Sequence, residues 1–477
     1  MSEIELSKYF LTKKIPYVKP LYNIDLKKDS DILDWFRECS YGLTEYFRPL
    51  FREQKSNLAF FVGAGVNPNW ASPYTQIYAN TSDIYSSQDN IFINDLYRLV
   101  MDQVTLITSH ELVPDVLPNT EDYSDKVACN VVKDWLESMN YTLGVESWRF
   151  RFEVQKKMFG ESFAIVMWNP NIGDVHPLAK KYVDEDIDML DEDGNPISDI
   201  GQNPVKLRKN MRIGDIEIIN PMPWDVIKDP QINDRDSNWF YWVEYKDIDY
   251  MKKKYPKFTW DTKTDRGPDT QYDVFTNTEK ENPNKRKVFY LYHRSHEFMP
   301  EGRFIVASDD HVLVNQPLSM PTLINNQDLP LIQFKDLDIG MGNRGSPILF
   351  RNCKNLSDAN NRIANQMYNN LEMESPKMFV HETSGVDAQR MPNGTTAIEW
   401  HGNIKPTIET PTTNTPSIFN FQQQIQKAMD QVALQNPLVK GETPNAQLDS
   451  FVALQYFEDQ RTQLAAPGIK EHIRGME

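Results

Sequence analysis

The sequence predicts an α+β fold in which a mixed body gives way to long, narrow helices. Three observations carry that expectation. Residues 29 to 55, 91 to 108 and 125 to 158 repeat apolar side chains at helical spacing, residues 160 to 335 switch to short alternating runs bounded by Gly, Pro, Asn and Asp, and residues 346 to 435 return to helical spacing around a small strand-bearing insert.

The first helical region covers 29 to 55, with Ile32, Leu33, Phe36, Tyr46, Phe47 and Phe51 at roughly helical spacing and Gly42 as its weak point. A second amphipathic helix is expected over 91 to 108. Two more fill Asp125 to Met158, broken near Gly144. Gly160 then marks a turn into the strand GESFAIVMWNP, which has a polar start. Further strands follow in IGDIEIINPMPWDVIKDP, SNWFYWVEY, KVFYLYHRS, and the pair RFIVAS and HVLVN joined by Asp309-Asp310. DIDYMKKKYP reads as a short helix between strands.

After PLIQFKD the pattern lengthens. Ser346 is a good cap and Pro347 suits a first helical turn, so a helix is expected over 346 to 375, roughly 43 Å long at 1.5 Å per residue. Leu349, Cys353, Leu356, Ile363, Met367 and Leu371 form one apolar seam on it. Asparagines at 352, 355, 360, 361, 365, 369 and 370 crowd the rest, and since Asn is a poor helix former, neighbours must hold the helix. The insert has strand-like PKMFV and TAIEW with a turn at Pro392-Asn393-Gly394. A linker rich in Thr and Pro leads to a helix opened by Thr415-Pro416, with Ile418, Phe421, Ile425, Met429 and Val432 expected on its apolar face. NPLVKGETPNAQ breaks the pattern, and Thr443-Pro444 restarts a helix that runs to Pro467-Gly468.

Composition narrows the function. With 40% hydrophobic and 25% charged residues the chain is in the globular range, and no window approaches the roughly 18 apolar residues of a membrane span. The N-terminus has no continuous apolar stretch of the secretory kind, which suggests that the chain stays in the cytoplasm of the cell that makes it. Cys39, Cys129 and Cys353 are far apart and form no CxxC pair, so small buried apolar roles are expected of them. A net charge of −17 argues against a general DNA-coating protein, which needs clustered Lys and Arg.

Candidate chemistry is weak throughout. GAG at 63 to 65 lacks the third glycine and the GK[ST] ending of a phosphate loop and reads as a turn. DEDIDMLDEDG, Asp184 to Gly194, puts Met189 and Ile200 where a calcium loop needs acids, and reads as a solvated acidic loop. His293 and His296 sit at an expected strand end, where a spacing of three sends them to opposite sides. Surface histidines are the expectation. No GxSxG is present, and no catalytic residue, metal or cofactor is expected.

The order of elements, together with RLVMDQVTLIT, VQKKMFGESFAIVMW, INPMPWDVIKDP, PLIQFKDLDIGMGNRGSPILFRNCKNLSDANNRIANQMYNN and NPLVKGETPNAQLDSFVALQYFEDQ, resembles the portal proteins of tailed bacteriophages. The resemblance covers roughly 90 to 465. It implies a structural ring, usually of twelve subunits, at one capsid vertex of the virion, assembled in the host cytoplasm and giving passage to double-stranded DNA in packaging and ejection. The implied partners are the terminase (the packaging ATPase), the major capsid protein and tail adaptor proteins, with no membrane and no cofactor. Residues 61 to 345 would be the wing, 346 to 375 and 416 to 435 the stem helices, 376 to 415 the clip, 436 to 449 the tunnel loop, and 444 to 477 the start of a wing or crown helix. Residues 1 to 60 form an N-terminal helical extension outside the resemblance. By that analogy Lys440, Gly441, Glu442 and Asn445 face the DNA channel, with Lys440 the DNA-proximal cation, and Arg390 and Asn393 contact the terminase or an adaptor. Uncharged asparagine faces suit a channel wall, since they neither grip nor strongly repel phosphate. Another virion component, an adaptor or baseplate scaffold, is the nearest rival, and an intracellular enzyme the more distant one.

Overall fold

A computed structural model describes residues 16–62, 92–108, 116–118, 120, 122–169, 172–175, 212–230, 237–260, 285–318, 329–336, 344–374, 377–381, 396–400 and 415–433. Mixed helix and strand, as the sequence predicts, build two compact units. One comprises Met1–Leu58, Val100–Ile348 and Ala465–Glu477, and the other Ala59–Leu99 and Leu349–Leu464.

In the first unit, helix α1 (Asp29–Val62, its last residues belonging to the second unit) runs on through Gly42 and Pro49. The sequence predicts a shorter helix, weak at Gly42. A Cβ added at Gly42 would meet Pro16 Cβ at 3.9 Å, an ordinary contact, so nothing in the packing forces a break there. Helix α2 (Asp95–Thr108) also spans the unit boundary. Helices α3 (Tyr123–Leu143) and α4 (Val145–Phe159) are separated where expected: Gly144 takes φ 63°, and its N–H bonds the carbonyls of Asn140 and Tyr141.

A three-stranded antiparallel sheet has β1 (Glu161–Asn169) between β2 (Asp215–Ile219) and β8 (Leu331–Lys335). A five-stranded antiparallel sheet runs in the order β3 (Val226–Lys228), β4 (Trp239–Asp247), β5 (Lys285–His293), β6 (Arg303–Ser308), β7 (Val312–Gln316). Both faces of the larger sheet are covered. Phe240, Trp242 and Tyr292 pack with Phe163 and Ile165 of β1, while Val288, Val306 and Val314 pack under the short helix α5 (Ile248–Lys254) and Trp260. On the other face Trp35 of α1 meets Trp239 edge-on at 5.4 Å between ring centroids, and Phe36 meets Tyr241 and Phe289. Burial on both faces explains why SNWFYWVEY is a nearly continuous apolar run.

The second unit holds helix α6 (Ile348–Glu374, from Leu349), helix α7 (Thr415–Val432), and strands β9 (Lys377–His381) and β10 (Thr396–Trp400), which pair in parallel from Lys377 opposite Thr396 to His381 opposite Trp400. Both strands of the expected insert are present. Two seam expectations need correction. On α7 Ile425 and Met429 are buried, as is Ala433 just past its end, with Phe421 and Val432 exposed, so the face turns by about one residue to bring Gln422 inward. On α6, Leu349, Cys353 and Ile363 of the expected seam are buried, with Phe350 beside them, but Leu356 and Met367 are only half-buried, and Ser357, Asn360 and Asn361 are buried among the apolar positions.

Candidate functional site

The residues that the sequence singles out for the tunnel loop (Lys440, Gly441, Glu442 and Asn445) and the clip (Arg390 and Asn393) lie outside the described residues, as do GAG at 63 to 65 and the acidic run 184 to 194. Within the described residues, two polar junctions stand out.

The first lies in the interior of the sheet-bearing unit. Glu161 opens β1 directly after Gly160, whose φ of 83° ends α4. One carboxylate oxygen of Glu161 accepts the Gly345 N–H at 2.9 Å and the Gln333 amide at 2.8 Å, and the other accepts Gln54 at 3.4 Å. Arg344 Nε lies 3.0 Å from that second oxygen, close enough for an ion pair but off-line for a hydrogen bond. The rest of the guanidinium is used: Nη1 donates to the Val226 carbonyl at 2.9 Å and Nη2 to the Pro223 carbonyl at 2.6 Å. The rings of Phe47, Phe51 and Phe163 surround it at 5.4 to 5.5 Å. Burial pulls Arg344 below its usual pKa and Glu161 opposes that pull.

Cations around this pair have partners as well. Lys157 bonds Asp336 at 2.6 Å, Lys228 bonds Gln333 at 2.6 Å, and fully buried Lys156 pairs with fully buried Glu153 one helical turn away. Burial lowers the Lys156 pKa and Glu153 offsets part of that. The chemistry of the junction is mechanical. Glu161 of β1 is held by groups from α1, β8 and the segment leading into α6, and Lys157 ties α4 to Asp336 just after β8, which locks these elements together. Two glycines permit the closeness: a Cβ on Gly345 would fall 2.1 Å from the Gly160 carbonyl oxygen, and one on Gly160 would fall 2.2 Å from the Ser346 carbonyl carbon.

The second junction lies within the helical unit. Asn360 is wholly buried; its amide N–H2 donates to Asp95 at 2.8 Å, and its oxygen accepts from Gln422 of α7 at 3.1 Å. Asn361 accepts the Ile93 N–H at 2.7 Å, and Arg98 pairs with Asp430 at 3.4 Å. Two of the seven asparagines expected on a water-facing wall are therefore interior ties: Asn360 links two helices by donating and accepting at once, and Asn361 holds the segment that leads into α2. The outward side of α7 exposes Gln423, Gln424, Gln426, Lys427 and Gln431 beside Phe419 and Phe421.

The histidine expectation is corrected as well. His293 ends β5 and is buried, its Nδ1 2.8 Å from the Arg294 carbonyl, and burial lowers its pKa to about 4. His296 instead stacks on Tyr22 at 4.9 Å. Cys39 and Cys353 are buried, as expected of small apolar residues, while Cys129 is half-buried. Among the described residues no cluster of three or more His, Cys, Asp or Glu could hold a metal, and no helix is long and apolar enough to cross a membrane.

Sequence reasoning missed Arg344, Gln333 and Asp95. The pair Arg344-Gly345 beside Ser346-Pro347 is the only local signal of a tight approach, and it does not name Glu161 as the partner. Comparison with protein-family models gave no match, and comparison with curated proteins gave none.

Proposed function

We propose that this chain is a portal-type structural protein: a ring subunit at one capsid vertex that conducts double-stranded DNA and docks the packaging ATPase and tail adaptors. The observation that carries the reading is the unit of two helices, 27 and 18 residues long, on either side of a small parallel strand pair. A stem interrupted by a clip needs that order. Exposed glutamines along α7, with Lys427 the one charged residue among them, favour a surface that neighbours in a ring or water can cover without gripping phosphate. Exposed Phe419 and Phe421 on the same helix favour neighbours over water for part of that surface.

In this reading α6 and α7 are the stem, 376 to 415 the clip with Arg390 and Asn393 toward terminase or adaptors, and 436 to 449 the tunnel loop with Lys440 nearest the DNA. The major capsid protein would grip the wing, and the assembled ring would belong to the virion. Electron microscopy of the purified protein tests it. Rings with an open centre as wide as a DNA duplex are expected, and compact monomers at high concentration would overturn the reading.

A further inference from the structure

We propose that the lysine-rich edge around helix α5 is a sequence-independent docking surface for the phosphate backbone of a nucleic acid, separate from any channel. In a chain of net charge −17, the stretch Tyr250 to Trp260, YMKKKYPKFTW, holds four lysines and no acid. Folding adds to this density. The antiparallel register of β4 and β5 sets Lys246 opposite Arg286, beneath the same helix. Lys252, Lys253, Lys254 and Lys257 are exposed. Acids border the patch: Asp249 precedes the stretch and Asp261 follows it in the sequence, Asp310 adjoins His311 beside Trp260, and of Glu244 and Asp247 on β4 the first is paired with Lys246.

The arrangement fits an extended polyanion better than a single anion. Three consecutive helical lysines step by about 100° each, so Lys252 to Lys254 fan out over roughly 200° instead of converging. Offsetting the helix C-terminus takes one or two cations at most, which leaves the others unexplained by the fold. Aromatic rings are interleaved: Lys246 and Lys254 each lie 5.6 Å from the Tyr250 ring centroid, and Lys254 lies 5.6 Å from that of Tyr255. Burial works against the charged form of Lys254, but Tyr255, Tyr250 and Glu244 outweigh it, so its pKa is raised. Lysines act as point charges without a fork for base edges, which suits backbone contact without sequence readout. A duplex presents one charge per about 1.7 Å, denser than an acidic peptide in extended form at one per about 3.4 Å.

The inference does not depend on the ring reading, and one titration separates them. A labelled random-sequence duplex is titrated with the full chain over a series of salt concentrations. Comparison proteins are Lys252→Gln/Lys253→Gln/Lys257→Gln, Lys440→Glu, and a control, Lys27→Gln/Lys28→Gln, at exposed lysines elsewhere. Unfolding curves confirm that each variant is folded. The triple variant is expected to bind about tenfold or more weakly at low salt, with the slope of log K against log salt reduced by about 2.7, since each lost phosphate contact contributes about 0.9. The control is expected to match the unmodified chain. No salt-dependent duplex binding, equal binding by the triple variant, or binding of polyglutamate to the patch with no duplex bound would each overturn the proposal. Loss of binding in Lys440→Glu alone would sink the patch and leave the ring reading standing, whereas loss in the triple variant without ring formation would do the reverse.

Discussion

Glu161 and Arg344 meet at 3.0 Å in the interior of the sheet-bearing unit, with the carboxylate also holding Gly345 and Gln333 and the guanidinium holding two backbone carbonyls. Removing either partner strands the other charge away from water. Glu161→Gln keeps the shape but loses the charge, and is expected to cost about 3 kcal/mol or more of unfolding free energy; Arg344→Met is expected to cost a similar amount. The double variant should recover part of the loss, as a cycle of chemical denaturation curves would reveal. Strict additivity of the two single losses would mean that the pair is not energetically coupled.

Glycines at the same junction make a sharper contrast. Gly345→Ala would drive a Cβ to 2.1 Å from the Gly160 carbonyl oxygen, backbone that cannot rotate away, whereas at Gly144 nothing lies within 4 Å of the added atom and only its φ of 63° opposes a side chain. Thermal melts should show Gly345→Ala losing about 3 kcal/mol or more, against about 1 kcal/mol for Gly144→Ala. Equal losses would refute the close approach.

How much of this was legible depends on how far apart the partners are in sequence. Strands such as RFIVAS and HVLVN could be read because a short turn and alternation are local properties. The break at Gly144 and the turn at Gly160 were legible because glycine is the residue that takes positive φ cheaply. The orientation of α7 was not: Ile418, Ile425 and Met429 fit an apolar face whether Phe421 or Gln422 accompanies them, and the choice is decided by Asn360, supplied by another helix. Glu161 read only as the polar start of a strand, since Arg344 arrives from far along the chain. The lysines of α5 stand together in the sequence, but Arg286 joins them only through strand pairing.

Asn360 and Asn352 share a helix and a residue type, yet opposite effects are expected of them. Asn360→Leu leaves Asp95 and Gln422 without their buried partner and should cost about 1 to 3 kcal/mol. Asn352 is exposed, so Asn352→Ala trades a poor helix former for the best one and should stabilise by a few tenths, at most about 0.7 kcal/mol. Urea denaturation of the two variants checks the signs. A neutral Asn360→Leu would return that residue to the water-facing role that its composition suggests.

Lys440 tests the ring reading genetically. If identical loops converge around passing DNA, each copy contributes one cation, and Lys440→Glu reverses them all at once. Ring assembly is expected to stay intact while packaged DNA falls, measured as DNA content per assembled particle. Full DNA content in particles that carry Lys440→Glu would remove this residue from the DNA path.

Half-buried Asp225 and buried His293 give the sheet-bearing unit opposite pH dependences. Burial pushes the Asp225 carboxyl up to about 7 from an ordinary 3.8, despite Lys55 on α1 and Lys287 on β5, which favour its charge. The folded state therefore holds the proton more tightly than the unfolded state. Its contribution is fully present below about pH 4 and is lost as pH rises through 7. His293 behaves in reverse: with its pKa lowered from 6.5 to about 4 by burial, its contribution is present above about pH 6.5 and is lost as pH falls toward 4. Asp225→Asn, which stays neutral at every pH, should raise stability at pH 8 by no more than about 4 kcal/mol and change it little at pH 4. His293→Gln should flatten the acid limb between pH 6.5 and 4. Denaturation midpoints measured from pH 4 to 8 check both, and an Asp225→Asn profile parallel to that of the unmodified chain would show that the carboxyl titrates alike in the folded and unfolded states.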